Sequence, residues 1–245
     1  MGLTKEKLYE GLSTSIKENS YLSSKEYVEP FINFFPSNTT FRIKAKVADQ
    51  IIGDDVSKIT YNRVCIEAEI QTDEDGYTEI VGLTYALDVK DPVWKLYRGH
   101  RNEKDNLIMS GDPFLFVNAL EPETGFKNIS IGITNLLALP TNLSALKKAL
   151  DIEVERDTMS KRLGEWVQYC LVVNKDYDLY KVKLSERVAT KAFKSLVLDQ
   201  DSEWFHNEKL DNKSLLDAAI NAVDDGKDIL THVEKSIMVK EMLSI

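Results

Sequence analysis

Residues 62–89, "NRVCIEAEIQTDEDGYTEIVGLTYALDV", decide the fold class of this chain. Val64, Ile66, Ala68 and Ile70 fall on one side of an extended chain and alternate with Glu67 and Glu69 on the other. This period of two is typical of a half-buried β-strand. The Asp-Gly pair at 75–76 indicates a tight turn, and the apolar residues after it predict the partner strand of an antiparallel hairpin.

Further strands and helices are predicted on both sides of this hairpin. "FRIKAKVAD" (41–49) and "PFLFVNAL" (113–120) read as strands, and Leu8, Leu12 and Ile16 mark an amphipathic helix that Pro30 and Pro36 then interrupt. The character of residues 125–140 stays undecided. The chain after Pro140 reads as helices with one hairpin near "NKDYDLY" (174–180). Strands followed by helices predict an α+β fold, with residues 1–140 carrying the antiparallel sheet and residues 141–245 a helical region packed on it as one domain.

Size and composition favour a globular cytoplasmic protein. The 245 residues have a formal net charge of −9, 43% are hydrophobic, and no run of 18 apolar residues occurs. We therefore expect no membrane partner and no export signal. The two cysteines, Cys65 and Cys170, fit a reducing compartment such as a cytoplasm.

The sequence lacks the common motifs of enzymes and cofactor sites. The three histidines form no HExxH pattern, and the sequence contains no GxGxxG, no P-loop and no GxSxG elbow. Residues 199–210 begin like a calcium loop, but Trp204 replaces its glycine and Leu210 its glutamate. We expect no metal, no cofactor and no enzymatic activity.

The segment 89–104 stands out because it is cationic within an acidic chain. It holds five cations and two acids, with two aromatic rings among them. Cations can follow a phosphate backbone while a ring stacks on a base, so one interpretation is a single-stranded nucleic-acid site built from Trp94, Lys95, Tyr97, Arg98, Arg101 and Lys104. The alternative is structural: Trp94 and Tyr97 fill the core, and the two arginines pair with acids of the hairpin.

A second basic surface is predicted in "KLSERVATKAFKSLV" (183–197). On a helix its cations fall on one face, which we include in the candidate nucleic-acid site: Lys183, Arg187, Lys191 and Lys194. A solvated face paired with nearby acids is the alternative interpretation.

Residues 82–112 also resemble the signature of a known family. A Gly-Leu strand, an Asp, a Gly-x-Arg, an Asp-Asn-Leu and a Ser-Gly-acid are present at Gly82, Leu83, Asp88, Gly99, Arg101, Asp105, Asn106, Leu107, Ser110, Gly111 and Asp112. This pattern resembles the phage and plasmid protein family catalogued as domain of unknown function 932, and "KLSERVATKAF" is similar to a later helix start in it. The resemblance covers under a third of the chain and implies a phage or mobile-element origin, with a sheet followed by helices.

Three functional hypotheses remain open from the sequence. The first is a non-enzymatic phage protein that binds single-stranded nucleic acid in replication or recombination. The second is a virion-associated or assembly protein that associates with itself or with other phage proteins through its acidic ends and the apolar side of residues 227–245. The third is an inhibitor of a host defence system, whose charge of −9 would imitate nucleic acid.

Overall fold

The structure is a computed structural model with two compact units. It describes residues 2–13, 24–47, 50–52, 63–86, 93–103, 106–109, 114–117, 122–141, 143–168 and 206–223, with the single positions 190, 191, 194 and 236. Unit 1 comprises residues 1–103 and 111–140, and unit 2 comprises residues 104–110 and 141–245. The division falls next to Pro140, except that residues 104–110 belong to unit 2.

Strands occupy the described parts of the stretches predicted at 41–49, 62–89 and 113–120, and the other strands were not predicted. In chain order they are β1 (Leu3–Thr4), α1 (Lys5–Ser13), α2 (Ser24–Phe34), β2 (Thr40–Val47), β3 (Gln50–Ile52), β4 (Arg63–Thr72), β5 (Thr78–Ala86), β6 (Val93–Arg101), β7 (Leu107–Met109), β8 (Phe114–Val117), α3 (Pro122–Ala138), α4 (Leu143–Leu150), β9 (Glu153–Glu155), α5 (Arg156–Gln168), β10 (Lys209–Asp211) and α6 (Asn212–Val223). The antiparallel sheet lies in the N-terminal half and the helices are mostly C-terminal. The α+β prediction is confirmed.

The sheet of unit 1 is antiparallel, with neighbouring strands in the order β1, β2, β4, β5, β6. Strand β3 pairs with β2, and β8 pairs with β6. Across its centre, Ile66 lies between Ile43 and Leu83, and Gly82 lies between Glu67 and Tyr97. Because side chains alternate along each strand, these two rows occupy opposite faces of the sheet.

The turn between β4 and β5 has the chemistry that its Asp-Gly pair predicts. Gly76 adopts a φ of 80°, a conformation that a side chain disfavours. The Oδ1 atom of Asp73 accepts hydrogen bonds from the backbone N–H groups of Asp75 (3.0 Å) and Tyr77 (2.8 Å). The register shifts between Glu69 and Gln71, which is a β-bulge three residues before the turn.

One face of the sheet packs against helices and forms the main apolar core of unit 1. Its residues are almost fully buried and come from both layers: Leu8, Val28, Phe31, Ile32, Phe35, Ile129, Ile133 and Leu136 on the helical side, and Phe41, Ile43, Ile66, Ala68, Val81, Leu83, Trp94 and Leu96 on the strands. The rings of Phe35 and Phe41 meet edge to face, 6.1 Å apart. Burial of this continuous apolar surface is the main source of stability in unit 1.

Two expectations about helices need correction or completion. Pro30 does not interrupt the chain, because it lies inside α2. A proline there removes one backbone hydrogen bond, but the burial of Val28, Phe31 and Ile32 on the same helix offsets that loss. The undecided stretch 125–140 belongs mainly to helix α3, whose residues Ile129 and Ile133 repeat on its buried side.

Unit 2 is built around helices and one short strand pair. Strands β9 and β10 pair antiparallel with Val154 opposite Leu210. The Nδ2 group of Asn212, at the start of α6, donates to the carbonyl of Ala149 at 2.9 Å. Buried Asn106 donates to Oδ1 of Asp217 at 2.9 Å. The predicted hairpin at 174–180 lies outside the described residues, as does nearly all of the predicted terminal helix at 227–245.

In the described part of the chain, no individual helix has the length and apolar character needed to cross a bilayer. One bent pair, 127–138 with Leu143–Leu150, meets those criteria by length and composition alone.

Candidate functional site

Within the cationic segment, Val93–Arg101 form strand β6 of the sheet. Strand β6 pairs with β5, so that Arg98 lies opposite Val81 and Tyr97 lies opposite Gly82. Alternation then divides the predicted site between two faces: Trp94 and Arg98 share the helical face, while Lys95, Tyr97 and Arg101 share the other. The residues of the predicted site that lie on β6 therefore do not form one common surface.

Trp94 is part of the core. Its side chain is 1% exposed and belongs to the apolar cluster between the sheet and the helices. A buried indole has no free face on which a base could stack. The expectation of an exposed stacking ring at Trp94 is wrong, because the strand alternation directs this residue to the helical face.

Tyr97 is also fully buried, on the opposite face. Its ring lies over Gly82, where a methyl group would overlap the ring atoms, so the absence of a side chain at Gly82 makes room for it. The hydroxyl donates to Oε1 of Glu67 at 2.6 Å and lies 3.3 Å from the Sγ atom of Cys65. Burial, with the nearby Cys65 and Glu67, raises the pKa of Tyr97 well above 10.0, although Arg101 opposes the shift. Tyr97 is not an exposed ring either.

Arg101 forms a buried bidentate ion pair with Glu67. Its Nε atom donates to Oε2 and its Nη2 atom to Oε1, each at 2.6 Å, and both side chains are about 95% buried. A guanidinium held this way on a carboxylate has its charge neutralised in place. The exposure that a phosphate contact at Arg101 requires is contradicted, because the side chain is buried and Glu67, on the same face of the sheet, binds its Nε and Nη2 atoms.

Arg98 joins the sheet to the end of helix α3. Its Nε atom donates to Oε1 of Glu79 at 2.7 Å, and its Nη1 atom donates to the carbonyls of Leu136 (2.9 Å) and Leu139 (2.7 Å). The last carbonyls of a helix lack intrahelical partners, and a cation there also favours the helix dipole. The side chain is only 11% exposed, so its predicted role at a phosphate is likewise contradicted.

The structural alternative is therefore the one that the molecule adopts for these four residues. Trp94 and Tyr97 fill the interior, and both arginines pair with acids of the β4–β5 hairpin. Of the remaining predicted residues, Lys95 is half-buried, and Lys191 and Lys194 are exposed. Three lie outside the described residues: Lys104, Lys183 and Arg187.

The sequence interpretation missed the central role of Glu67. Alternation correctly placed it away from Ile66, but the face opposite the helices is buried at its position, with Glu67 3% exposed. The available signal was Gly82, which stands between Val81 and Leu83 in a predicted strand. A glycine weakens a central strand and often marks a site where a bulky neighbour needs the space. Together, Cys65, Glu67, Tyr97 and Arg101 form a buried polar network.

A surface groove is the second feature of unit 1. It has a volume of about 400 Å³ and is lined by two stretches, the start of β2 with the loop before it and the bulged end of β4: Phe35, Pro36, Asn38, Thr39, Thr40, Glu69, Ile70, Gln71 and Thr72. Ile70 is the residue at the bulge and is 38% exposed. A bulge re-aims a side chain, here beside the groove.

Within the part of the chain that is described, no three His, Cys, Asp or Glu residues are grouped so that they could hold a metal ion. Comparisons of the chain with family models, with curated proteins and with solved structures found no match. The resemblance to the family of domain of unknown function 932 stays an expectation from residues 82–112.

Proposed function

We propose that this chain is a non-enzymatic phage protein that works through protein contacts, as an assembly or interaction component in the host cytoplasm or the virion. The observation that carries the proposal is the internal use of the β6 side chains. Trp94, Tyr97, Arg98 and Arg101 are committed to the core and to ion pairs with Glu67 and Glu79. The rings and guanidinium groups that suggested a nucleic-acid site on this strand therefore stabilise the fold instead.

Exposed apolar side chains support the protein-contact reading. Phe34, Ile70, Ile131 and Leu139 of unit 1 are between 37% and 51% exposed. Isolated exposed apolar residues are common, but Ile70 lines a groove, and Phe34 contacts the lining residue Phe35 with ring centroids 5.5 Å apart. The net charge of −9 also disfavours a nucleic-acid partner at long range.

Sedimentation velocity of the full chain over a wide concentration range tests the proposal. We expect a concentration-dependent oligomer, and a variant lacking residues 227–245 should shift toward the monomer, because that segment carries a run of apolar residues at helical spacing. A chain that stays monomeric and instead binds an oligonucleotide at low salt would contradict the proposal.

Binding of single-stranded nucleic acid is a second candidate function. The contact would be made by the second basic surface, which consists of Lys183, Arg187, Lys191 and Lys194. The exposure of Lys191 and Lys194 favours it. Fluorescence anisotropy with a labelled oligonucleotide should then show a steep salt dependence, because phosphate contacts release counterions. The double variant Lys191→Glu, Lys194→Glu should weaken binding strongly, while the matched charge reversal Lys127→Glu, Lys161→Glu should not. Equal affinities of the two double variants would exclude this candidate.

A further inference from the structure

The groove beside the β4 bulge has the size and lining of a ligand site. Its volume of about 400 Å³ lies at the lower end of the range of about 300–1,000 Å³ that ligand pockets occupy. Phe35 is 5% exposed and supplies an apolar base, while Ile70 at the bulge is 38% exposed. Such a space accommodates one or two side chains of a partner and not a large cofactor.

Exposed carboxylates lie at one end of the groove. Within the lining itself, Glu69 is the charged residue, and Arg42 neutralises its carboxylate at 2.6 Å. The hairpin turn begins one residue after Thr72 and adds Asp73, Glu74 and Asp75. Glu74 and Asp75 are exposed, and Glu103 packs against Gly76 at the same end of the sheet. A cationic group entering the groove would therefore approach a field of carboxylates.

We infer that the groove binds a segment of a partner protein in which an aliphatic or aromatic side chain is flanked by lysine or arginine. The apolar side chain packs on Phe35, Pro36 and Ile70, and the flanking cations face the hairpin turn. The groove of a second copy is disfavoured as occupant, because a contact between two such grooves would bring the same carboxylates of the hairpin turn, Glu74 and Asp75, together. The inference rests on the proposed function and names the surface and the chemistry of its partner.

Fluorescence anisotropy with three labelled peptides tests this inference on the full chain. Lys-Arg-Leu-Phe-Arg-Lys has both features, Glu-Asp-Leu-Phe-Asp-Glu reverses the charge, and Lys-Arg-Ser-Ser-Arg-Lys lacks the apolar pair. We expect the first to bind at least about tenfold more tightly than either of the others, with an affinity that falls as salt rises. Equal binding of the basic and acidic peptides, or of the apolar and serine peptides, overturns the inference.

Matched variants locate the binding. Ile70→Ser should weaken binding of the first peptide about tenfold. Ile131→Ser, which removes a similarly exposed isoleucine from helix α3, should leave its affinity unchanged. Glu74→Lys with Asp75→Lys should weaken it further, and this pair leaves the turn-forming Asp73 intact. An Ile70→Ser protein that is folded by circular dichroism and binds like the parent overturns the inference.

The two proposals fail separately. If the chain forms the concentration-dependent oligomer but no peptide binds, the groove assignment is wrong and the interaction function stands. If the peptide binds through Ile70 in a chain that stays monomeric, the groove assignment stands and self-assembly is wrong. If the chain neither forms the oligomer nor binds the peptide, both proposals are wrong.

Discussion

The two faces of the central sheet are both buried, but by different chemistry. The helical face is apolar, with Ile66, Leu83 and Leu96 in one row across three strands. The neighbouring row of residues, one position away on each strand, lies on the opposite face. It consists of Glu67, Gly82 and Tyr97, with Gly82 in the middle. The first face is held by non-directional packing and the second by directional hydrogen bonds and an ion pair.

This difference teaches why a cationic, ring-bearing segment need not be a binding surface. Strand β6 contributes Trp94 to the apolar face and Arg101 to the polar one, so its composition reflects two unrelated environments. A buried ion pair tolerates the loss of one partner poorly, because the remaining charge is then buried without a counter-charge. An apolar row tolerates small changes better. The predictions below test this contrast.

The largest effect is expected from breaking the ion pair on the polar face. Arg101→Leu should lower the free energy of unfolding by about 3–5 kcal/mol, because Glu67 is left charged and buried. Adding Glu67→Met should recover much of that loss, since no charge is then stranded. Urea denaturation followed by circular dichroism measures both.

A neighbouring substitution on the apolar face serves as the control. Ile66→Val, next to Glu67 in the chain and fully buried, should cost only about 0.5–1.5 kcal/mol. If Arg101→Leu costs no more than Ile66→Val, the proposed contrast between the faces is wrong.

Substitution of Arg98 tests whether an arginine on the helical face contributes less to stability than Arg101 does on the polar face. Arg98→Met should cost about 1.5–3 kcal/mol, because it removes charged hydrogen bonds to Glu79 and to the carbonyls that end helix α3. Hydrogen exchange should accelerate most at the C-terminal end of α3. Arg98→Lys should recover part of the loss. Uniform acceleration throughout unit 1 would contradict a local capping role.

Gly82 tests the space beneath the Tyr97 ring. Gly82→Ala should destabilise the protein by about 1–3 kcal/mol through overpacking, although alanine usually suits a strand no worse than glycine. Combining it with Tyr97→Leu should cost less than the sum of the two single changes, because the smaller side chain leaves room for the methyl group. Additive losses in thermal denaturation would show that the ring and Gly82 do not compete for space.

The polar network also predicts a stability change at alkaline pH. The pKa of Tyr97 is raised by burial, so above about pH 10 the unfolded chain releases a proton that the folded chain retains. Stability should then fall with rising pH, by up to about 1.4 kcal/mol per pH unit from this group. The Tyr97→Phe variant should show a shallower decline. Parallel pH profiles for the two proteins would contradict the assigned shift.

The smallest effect is expected at the half-exposed end of the polar face. The Arg42–Glu69 pair has the same 2.6 Å distance as the Arg101–Glu67 pair, but its side chains are 36% and 23% exposed. Arg42→Ala should change the free energy of unfolding by under about 1 kcal/mol, because water solvates the carboxylate that remains. A loss as large as that of Arg101→Leu would mean that burial does not set the strength of these pairs.

Much of the fold was predictable from local pattern. The alternation at residues 62–89 predicted β4 and β5, and the Asp-Gly pair predicted the turn where Gly76 has positive φ. Pro30 misled the helix prediction because packing of α2 on the sheet outweighed its local penalty. The pairing of Arg101 with an acid of the hairpin was one of two interpretations of the sequence. The groove was not predicted, because a β-bulge has only a weak sequence signal.

The sequence alone determined the class of the fold, the hairpin and the alternation that sends Glu67 and Ile66 to opposite faces, since these follow from the geometry of an extended chain. Only the tertiary structure decided that both faces are buried. Glu67 and Arg101 are 34 residues apart, and their pairing depends on the order of β4, β5 and β6 in the sheet. Burial depends on non-local contacts. The sequence therefore suggests that Arg101 is a surface cation, whereas in the fold it is buried and paired with Glu67.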